Sequence, residues 1–117
     1  MKDCICETDK HESIRKKLSK SKDYLESVKN ASNIFSLLGE PSRMKIILAL
    51  MEGELCVYHI CEITGAKQSI TSQHLRKLKD NHIVKARKDA NQVLYSIADE
   101  HIVTIIKTAL EHKNCKV

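Results

Sequence analysis

The sequence predicts a mainly helical chain with one small β-hairpin, and three observations predict it. Apolar residues recur at helical spacing through most of the chain. Glycine and proline punctuate that spacing at Gly39, Pro41, Gly53 and Gly65. Between residues 83 and 97 the apolar period changes from helix-like to strand-like, and helical spacing then returns to the end.

The bulk properties fit that class. A chain of 117 residues suits one domain. It is 42% hydrophobic but only 3% aromatic, so its core must be built from Ile, Leu, Val and Ala. No apolar run approaches the ~20 residues of a membrane helix; the longest is "IILALM". The polar start "MKDCICETDKHE" does not read as a secretory signal, so a cytoplasmic location is expected. Five cysteines are an odd number, and in a reducing compartment they are more often free, metal-bound or redox-active than paired. A net charge of +5 suits a nucleic-acid partner without establishing one. Internal repeats and low-complexity segments are absent from the sequence.

Residues 1–12 read as a flexible tail carrying Cys4 and Cys6, and residues 13–117 as the folded domain. From Ile14 to Leu38 the apolar positions 14, 18, 25, 28, 31, 35 and 38 are helical in spacing. The charged stretch "RKKLSKSKDY" makes this one helix or two, with any break near Ser19–Ser21. Gly39 ends the segment, Pro41 fits the first turn of "PSRMKIILALMEG", and Gly53 stops that helix. A short helix follows from about Cys56 to Ile63, then a turn at Gly65 and a second helix from about Ser69 to Asp80.

Two short helices joined by a glycine-containing turn form a helix-turn-helix. The second helix is expected to bury Ile70, Leu75 and Leu78 and to expose Ser69, Thr71, Ser72, Gln73, Arg76 and Lys79. Hydroxyl, amide and cationic groups on one helix face are those that reach base edges and phosphates. His74 falls among them, which favours a DNA-facing or structural role over a ligand role. The strand-like runs "IVKARK" and "QVLYSI" around "DAN" then form a basic hairpin, a wing that would lay Lys85, Arg87 and Lys88 along the DNA backbone. A winged helix-turn-helix is therefore the architecture expected. His11 and His82 acquire no role.

The last helix, from about Asp99 to Lys113, poses a problem. His101 and His112 are eleven residues apart and share a face. At ~1.5 Å per residue they are separated by about 16 Å along the axis, too far to hold one small ligand together. Polar residues bordering the apolar stripe of Ile102, Ile105, Ile106 and Ala109 are also consistent with simple solvation.

The segments "LLGEPSRMKIILAL", "ELCVYHIC", "SITSQHLRKLKDNHIV", "VLYSIADEHI" and "ALEHK" resemble the ArsR/SmtB family of metal-responsive repressors, over roughly residues 31–113. The terminal pattern is most similar to the cadmium-, lead- and zinc-sensing members. The resemblance implies a homodimer, joined through its terminal helices, that sits on double-stranded operator DNA when metal-free and leaves when metal binds. It also implies metal ligands at Asp99 and His101 of one subunit and His112 and Cys115 of the other. Two copies of the last helix paired antiparallel would answer the spacing problem, because each His101 then meets the other chain's His112. His112 and Cys115 are neighbours at i, i+3. Asp99 and His101 converge only if Asp99 occupies the non-helical N-cap. Four N, O and S donors suit a tetrahedral Zn²⁺ or Cd²⁺, with Pb²⁺ also admitted. Cys115 is the departure from the family pattern, and its softness favours thiophilic ions over Co²⁺ or Ni²⁺.

"ELCVYHIC" matches the region of a second, thiolate site in the family. This chain has Cys56 and Cys61 there, Tyr58 in place of a middle cysteine, and His59 beside it. Cys4 and Cys6 folding over Cys56, with Cys61 or His59 in support, would make a soft-metal site; equally, Cys61 is a small core residue. The missing middle cysteine disfavours a pure arsenic sensor. The competing readings are an arsenic(III)- or thiol-redox-responsive repressor of the same fold and a metal-buffering protein that binds no DNA. A cysteine-nucleophile enzyme has no supporting constellation.

Overall fold

The computed structural model describes residues 8–19 and 21–112. The elements are α1 (Thr8–Leu18), α2 (Lys22–Leu38), α3 (Pro41–Leu50), β1 (Leu55–Cys56), α4 (Val57–Thr64), α5 (Gln68–Asp80), β2 (Val84–Asp89), β3 (Gln92–Ile97) and α6 (Glu100–His112). Their contacts define two compact units, one up to Phe35 and one from Ser36. The sequence reading had assigned residues 13–117 to a single domain.

The first unit holds α1 and most of α2. The expected break falls where the serines are. Ser19 Oγ turns back to donate to the Arg15 carbonyl at 2.9 Å, and Ser21 Oγ accepts from the Tyr24 N–H at 3.1 Å, as an N-cap does. One boundary needs correction. α1 begins at Thr8, so residues 8–12 are helical rather than part of a flexible tail. Residues 8–18 contain neither glycine nor proline, and Glu12 pairs with Arg15 one turn on, which supports the helix. Cys4 and Cys6 lie outside the described residues. Ile14, Leu18, Leu25, Val28 and Phe35 are each roughly half exposed within this unit. Ile14, Leu18 and Leu25 line an apolar groove edged by His11, Arg15 and Ser19.

The second unit carries the core. Glu40 is the N-cap of α3, its carboxylate accepting from the Ser42 and Arg43 N–H groups at 3.1 and 3.0 Å, with Pro41 in the first turn as expected. Arg43 reaches back to donate from Nε to the Leu37 carbonyl at 3.0 Å. Buried Leu37, Leu38, Ile46, Ile47, Leu50, Ile60, Leu75, Leu78, Ile83, Val84, Ile102 and Ile106 form one aliphatic core, as the aromatic-poor composition requires. β2 and β3 form the expected hairpin, in register from Val84 against Ile97 to Asp89 against Gln92. The short β1 adds to the far side of β3, giving the antiparallel order β1-β3-β2. Among the described residues no helix is long and apolar enough to cross a membrane.

Candidate nucleic-acid interface and metal-donor residues

The helix-turn-helix is α4 and α5. Gly65 closes α4 in the left-handed region at φ 77°, where a side chain would be strained, and its N–H bonds to the Cys61 carbonyl at 2.8 Å. α5 follows after an extended Lys67. Its buried stripe is Thr71, Leu75 and Leu78, at i, i+4 and i+7. Ser69, Ser72, Gln73, Arg76 and Lys79 are exposed, as expected for a recognition face.

Two expectations on α5 are corrected. Thr71 was expected to face outward and Ile70 inward; Thr71 is 0% exposed and Ile70 is 44% exposed. The reason is angular. Taking Leu75 and Leu78 as the inner face, position 71 completes the stripe, whereas position 70 lies about 140° from Leu75. The Thr71 hydroxyl has no hydrogen-bond partner among the described residues. His74 also departs from the outer face. Its side chain is 19% exposed, with Nε2 3.9 Å from Glu40 Oε2 at the start of α3. Chiefly through the Ser42 N–H, and also through Arg43 and His74, the Glu40 carboxyl is held below the usual carboxylate range despite partial desolvation.

On the wing, Lys85, Arg87 and Lys88 are all exposed. Arg87, however, is already engaged. Its Nε and Nη2 donate to the two carboxylate oxygens of Glu54 at 2.7 and 2.8 Å. That hydrogen-bonded pairing lowers the Glu54 pKa and raises that of Arg87. Neither Glu40 nor Glu54 was singled out from the sequence. Pro41 at the first helical position marks where the cap must fall, but glutamate is not a usual N-cap residue, so Glu40 carries no cap signal of its own. The Glu54–Arg87 pair spans 33 residues, and nothing local announces it.

The donor residues fall into two pairs. Asp99 precedes α6 as its N-cap; its Oδ1 accepts from the His101 N–H at 2.9 Å and the Ile102 N–H at 3.3 Å, and lies 3.4 Å from His101 Nδ1. The non-helical position demanded by the spacing is thus the one observed. Both side chains are open to solvent, His101 at 92% and Asp99 at 54%. His112, also exposed, is the last residue of α6, and Cys115 lies outside the described residues. Ile102 and Ile106 anchor the opposite side of the helix in the core.

The second pair is Cys56 and His59. Cys56 is the N-cap of α4 and half-buried, and its Sγ lies 3.3 Å from His59 Nδ1. The His59 ring meets Tyr58 edge-on, centroids 5.5 Å apart. Cys56 and Cys61 are both free thiols; Cys61 is half-buried rather than in the core. Among the described residues no three of His, Cys, Asp and Glu are grouped closely enough to hold a metal ion. Each pair brings two possible ligand atoms together, and neither makes a complete site by itself among the described residues.

Comparison with known proteins places this geometry. The model of a family described as bacterial regulatory proteins of the arsR family matches residues 40–86. The chain is 36% identical over 85 residues to a cadmium resistance transcriptional regulatory protein CadC homolog of Staphylococcus aureus, covering 72% of this chain and 70% of that one. It is 32% identical over 88 residues to a transcriptional repressor SmtB homolog of Synechocystis, covering 75% and 67%. Its fold is similar to a homodimeric winged helix-turn-helix DNA-binding domain of Mycobacterium bovis, with a TM-score of 0.71 at 26% identity over 80% of this chain and 90% of that one.

Proposed function

This chain belongs to the ArsR family of bacterial regulatory proteins, DNA-binding transcriptional regulators rather than enzymes, and from that premise we propose that it is a homodimeric repressor whose operator complex is relieved by Zn²⁺, Cd²⁺ or Pb²⁺. The observation that carries the proposal is the start of α6. Asp99 sits at a non-helical N-cap and brings its carboxylate within 3.4 Å of the His101 ring. Eleven residues on, His112 stands on the same face with no nearby donor among the described residues to complete a site.

A second copy of the chain, antiparallel along α6, would complete it. Asp99 and His101 of one subunit would hold the ion with His112 and Cys115 of the partner subunit, giving two sites per dimer. The half-exposed Leu110 of α6 supplies apolar surface that a second copy would cover. Metal bound there would supply a cross-link between the two last helices. For release of DNA, binding must favour the DNA-incompetent dimer, typically by about 1–3 kcal/mol. A changed angle between subunits suffices, because the paired recognition helices must meet successive major grooves roughly 34 Å apart.

Complementation tests the shared site. His101→Ala and His112→Ala homodimers each have two damaged sites. In the mixed heterodimer one site carries both mutations and the other carries neither. In a background with Cys4, Cys6 and Cys56 changed to Ser, that heterodimer should bind one Zn²⁺ tightly. Ligands drawn from a single chain would leave every site damaged, so no recovery rules out the sharing.

The Cys56–His59 contact favours a second reading, in which a thiolate site on α4, joined by Cys4 and Cys6, takes the effector. Arsenic(III) or an oxidant are the other thiol-directed effectors for it. Cd²⁺ should then give a strong ultraviolet sulfur-to-metal band that Cys4→Ser with Cys6→Ser largely removes while DNA binding persists. An unchanged band excludes the tail from the site.

A further inference from the structure

Side chains on the wing alternate between two faces. On β2, Lys85, Arg87 and Asp89 share one face, opposite Ser96, Leu94 and Gln92 of β3. β1 continues the same row from the other side, since Cys56 also pairs with Leu94. Glu54, two residues before Cys56, reaches across this face to Arg87. The two parallel hydrogen bonds form a fork, which fixes direction as well as charge. Asp89 adds a second acid 4.0 Å from the Arg87 guanidinium. Lys88, by contrast, lies on the other face beside Val93, with no ion pair among the described residues.

This arrangement is unfavourable for a phosphate contact at Arg87. An approaching phosphate would meet the Glu54 carboxylate or have to displace it. The arrangement is favourable for bracing. Glu54 stands three residues before the first helix of the helix-turn-helix, and Arg87 stands in the wing.

We propose that Glu54 and Arg87 are positioning residues for DNA binding: an exposed brace that sets the wing against α4, leaving Lys88, on the opposite face of the hairpin, to meet the DNA backbone. The assignment rests on the DNA-binding reading above.

The test compares the full-length wild type with Glu54→Gln, Arg87→Gln and the exchanged pair Glu54→Arg with Arg87→Glu. Operator affinity is measured by fluorescence anisotropy across a salt series, and hydrogen exchange of the Val84–Ile97 amides is followed in the free protein. Each single variant should weaken operator binding by up to about fivefold, the scale of an exposed pair. It should leave the slope of log affinity against log salt unchanged and raise exchange in the wing. The exchanged pair should recover both. Failure of the exchanged pair to recover operator affinity overturns the proposal. The proposal is overturned if Arg87→Gln reduces the salt slope by about one, the mark of a lost phosphate contact. Tighter binding by Glu54→Gln overturns it too, because Glu54 would then be a competitor of DNA. Unchanged wing exchange in both single variants also overturns it. A wild type that does not prefer operator over random DNA defeats the DNA reading instead, and the exchange arm still decides the brace.

Discussion

Replacing Thr71 by Val should stabilise the protein. Thr71 is 0% exposed and its hydroxyl has no hydrogen-bond partner among the described residues. In the unfolded chain that hydroxyl is hydrated, so folding strips it of water and returns nothing. A buried unsatisfied group of this kind costs about 1–3 kcal/mol. Valine has the same branching at Cβ, so it keeps the side-chain shape and leaves no cavity, and its helix propensity is close to that of threonine. The gain should therefore be about 1–2 kcal/mol. For a unit of this size each kcal/mol raises Tm by roughly 4–8 °C.

Urea unfolding at fixed protein concentration is the assay, because the apparent stability of the proposed dimer would depend on concentration. The midpoint should rise with the slope unchanged. Thr71→Ser, which keeps the hydroxyl and removes a buried methyl, should be destabilised by about 1 kcal/mol. The same variants separate burial from DNA contact. If Thr71 faced the DNA, Thr71→Val would weaken operator binding; in the buried position it should leave binding intact. A destabilised or unchanged Thr71→Val protein would refute the reasoning. It would mean that the hydroxyl is bonded in solution, as helical threonines often are, to the carbonyl four residues back at Lys67.

Two further outcomes are expected. Gln73→Ala or Arg76→Ala should weaken operator binding selectively, while Lys88→Ala should weaken binding to all DNA and lower the salt slope; equal losses on operator and random DNA for all three would remove base readout from α5. Glu40 and Glu54 both have carboxyl pKa values below the ordinary 4.5, so the stability they contribute is fully present above that pH and is lost as pH falls through their depressed values. Glu40→Gln with Glu54→Gln should flatten thermal stability against pH below that point, and an unaltered profile would detach both acids from the acid limb.

Much of this fold is legible because its signals are local. Gly65 with its left-handed φ, Pro41 in the first turn of α3, the serines at the α1–α2 break and the two hairpin runs each act within a few residues. The helix boundaries of α4 and α5 follow from them to within about one residue of the expected ends. The Asp99 N-cap was legible for the same reason, since two donors at i, i+2 can meet only outside a regular helix. The errors have a common cause too. Thr71 and Ile70 were assigned by side-chain polarity, whereas the stripe already set by Leu75 and Leu78 assigns them by angle. Arg87 was read as a free cation because its partner lies 33 residues away in sequence and one β1–β3 pairing away in space. Cys56 and His59 are visible as an i, i+3 pair, but only the N-cap position of Cys56 turns the thiol toward the ring.

The start of α6 joins two requirements in one side chain. Asp99 Oδ1 is committed to the helix, accepting from the His101 and Ile102 N–H groups. That commitment fixes the carboxylate's orientation before any ligand arrives, and so reduces the entropy cost of using it. Its second oxygen has no hydrogen bond or ion pair described, and the carboxylate as a whole lies beside the His101 ring. In the proposed site a carboxylate so placed would serve an ion in one of two ways: as a direct ligand through the second oxygen, or by accepting the Nδ1 proton of a histidine that ligates through Nε2. Both uses need the cap. An aspartate here thus binds the folding of α6 to the readiness of its donors. His112, at the other end of the helix, has no such partner among the described residues. The asymmetry is what the proposed shared site would have: one prepared half, and one half supplied by a second chain.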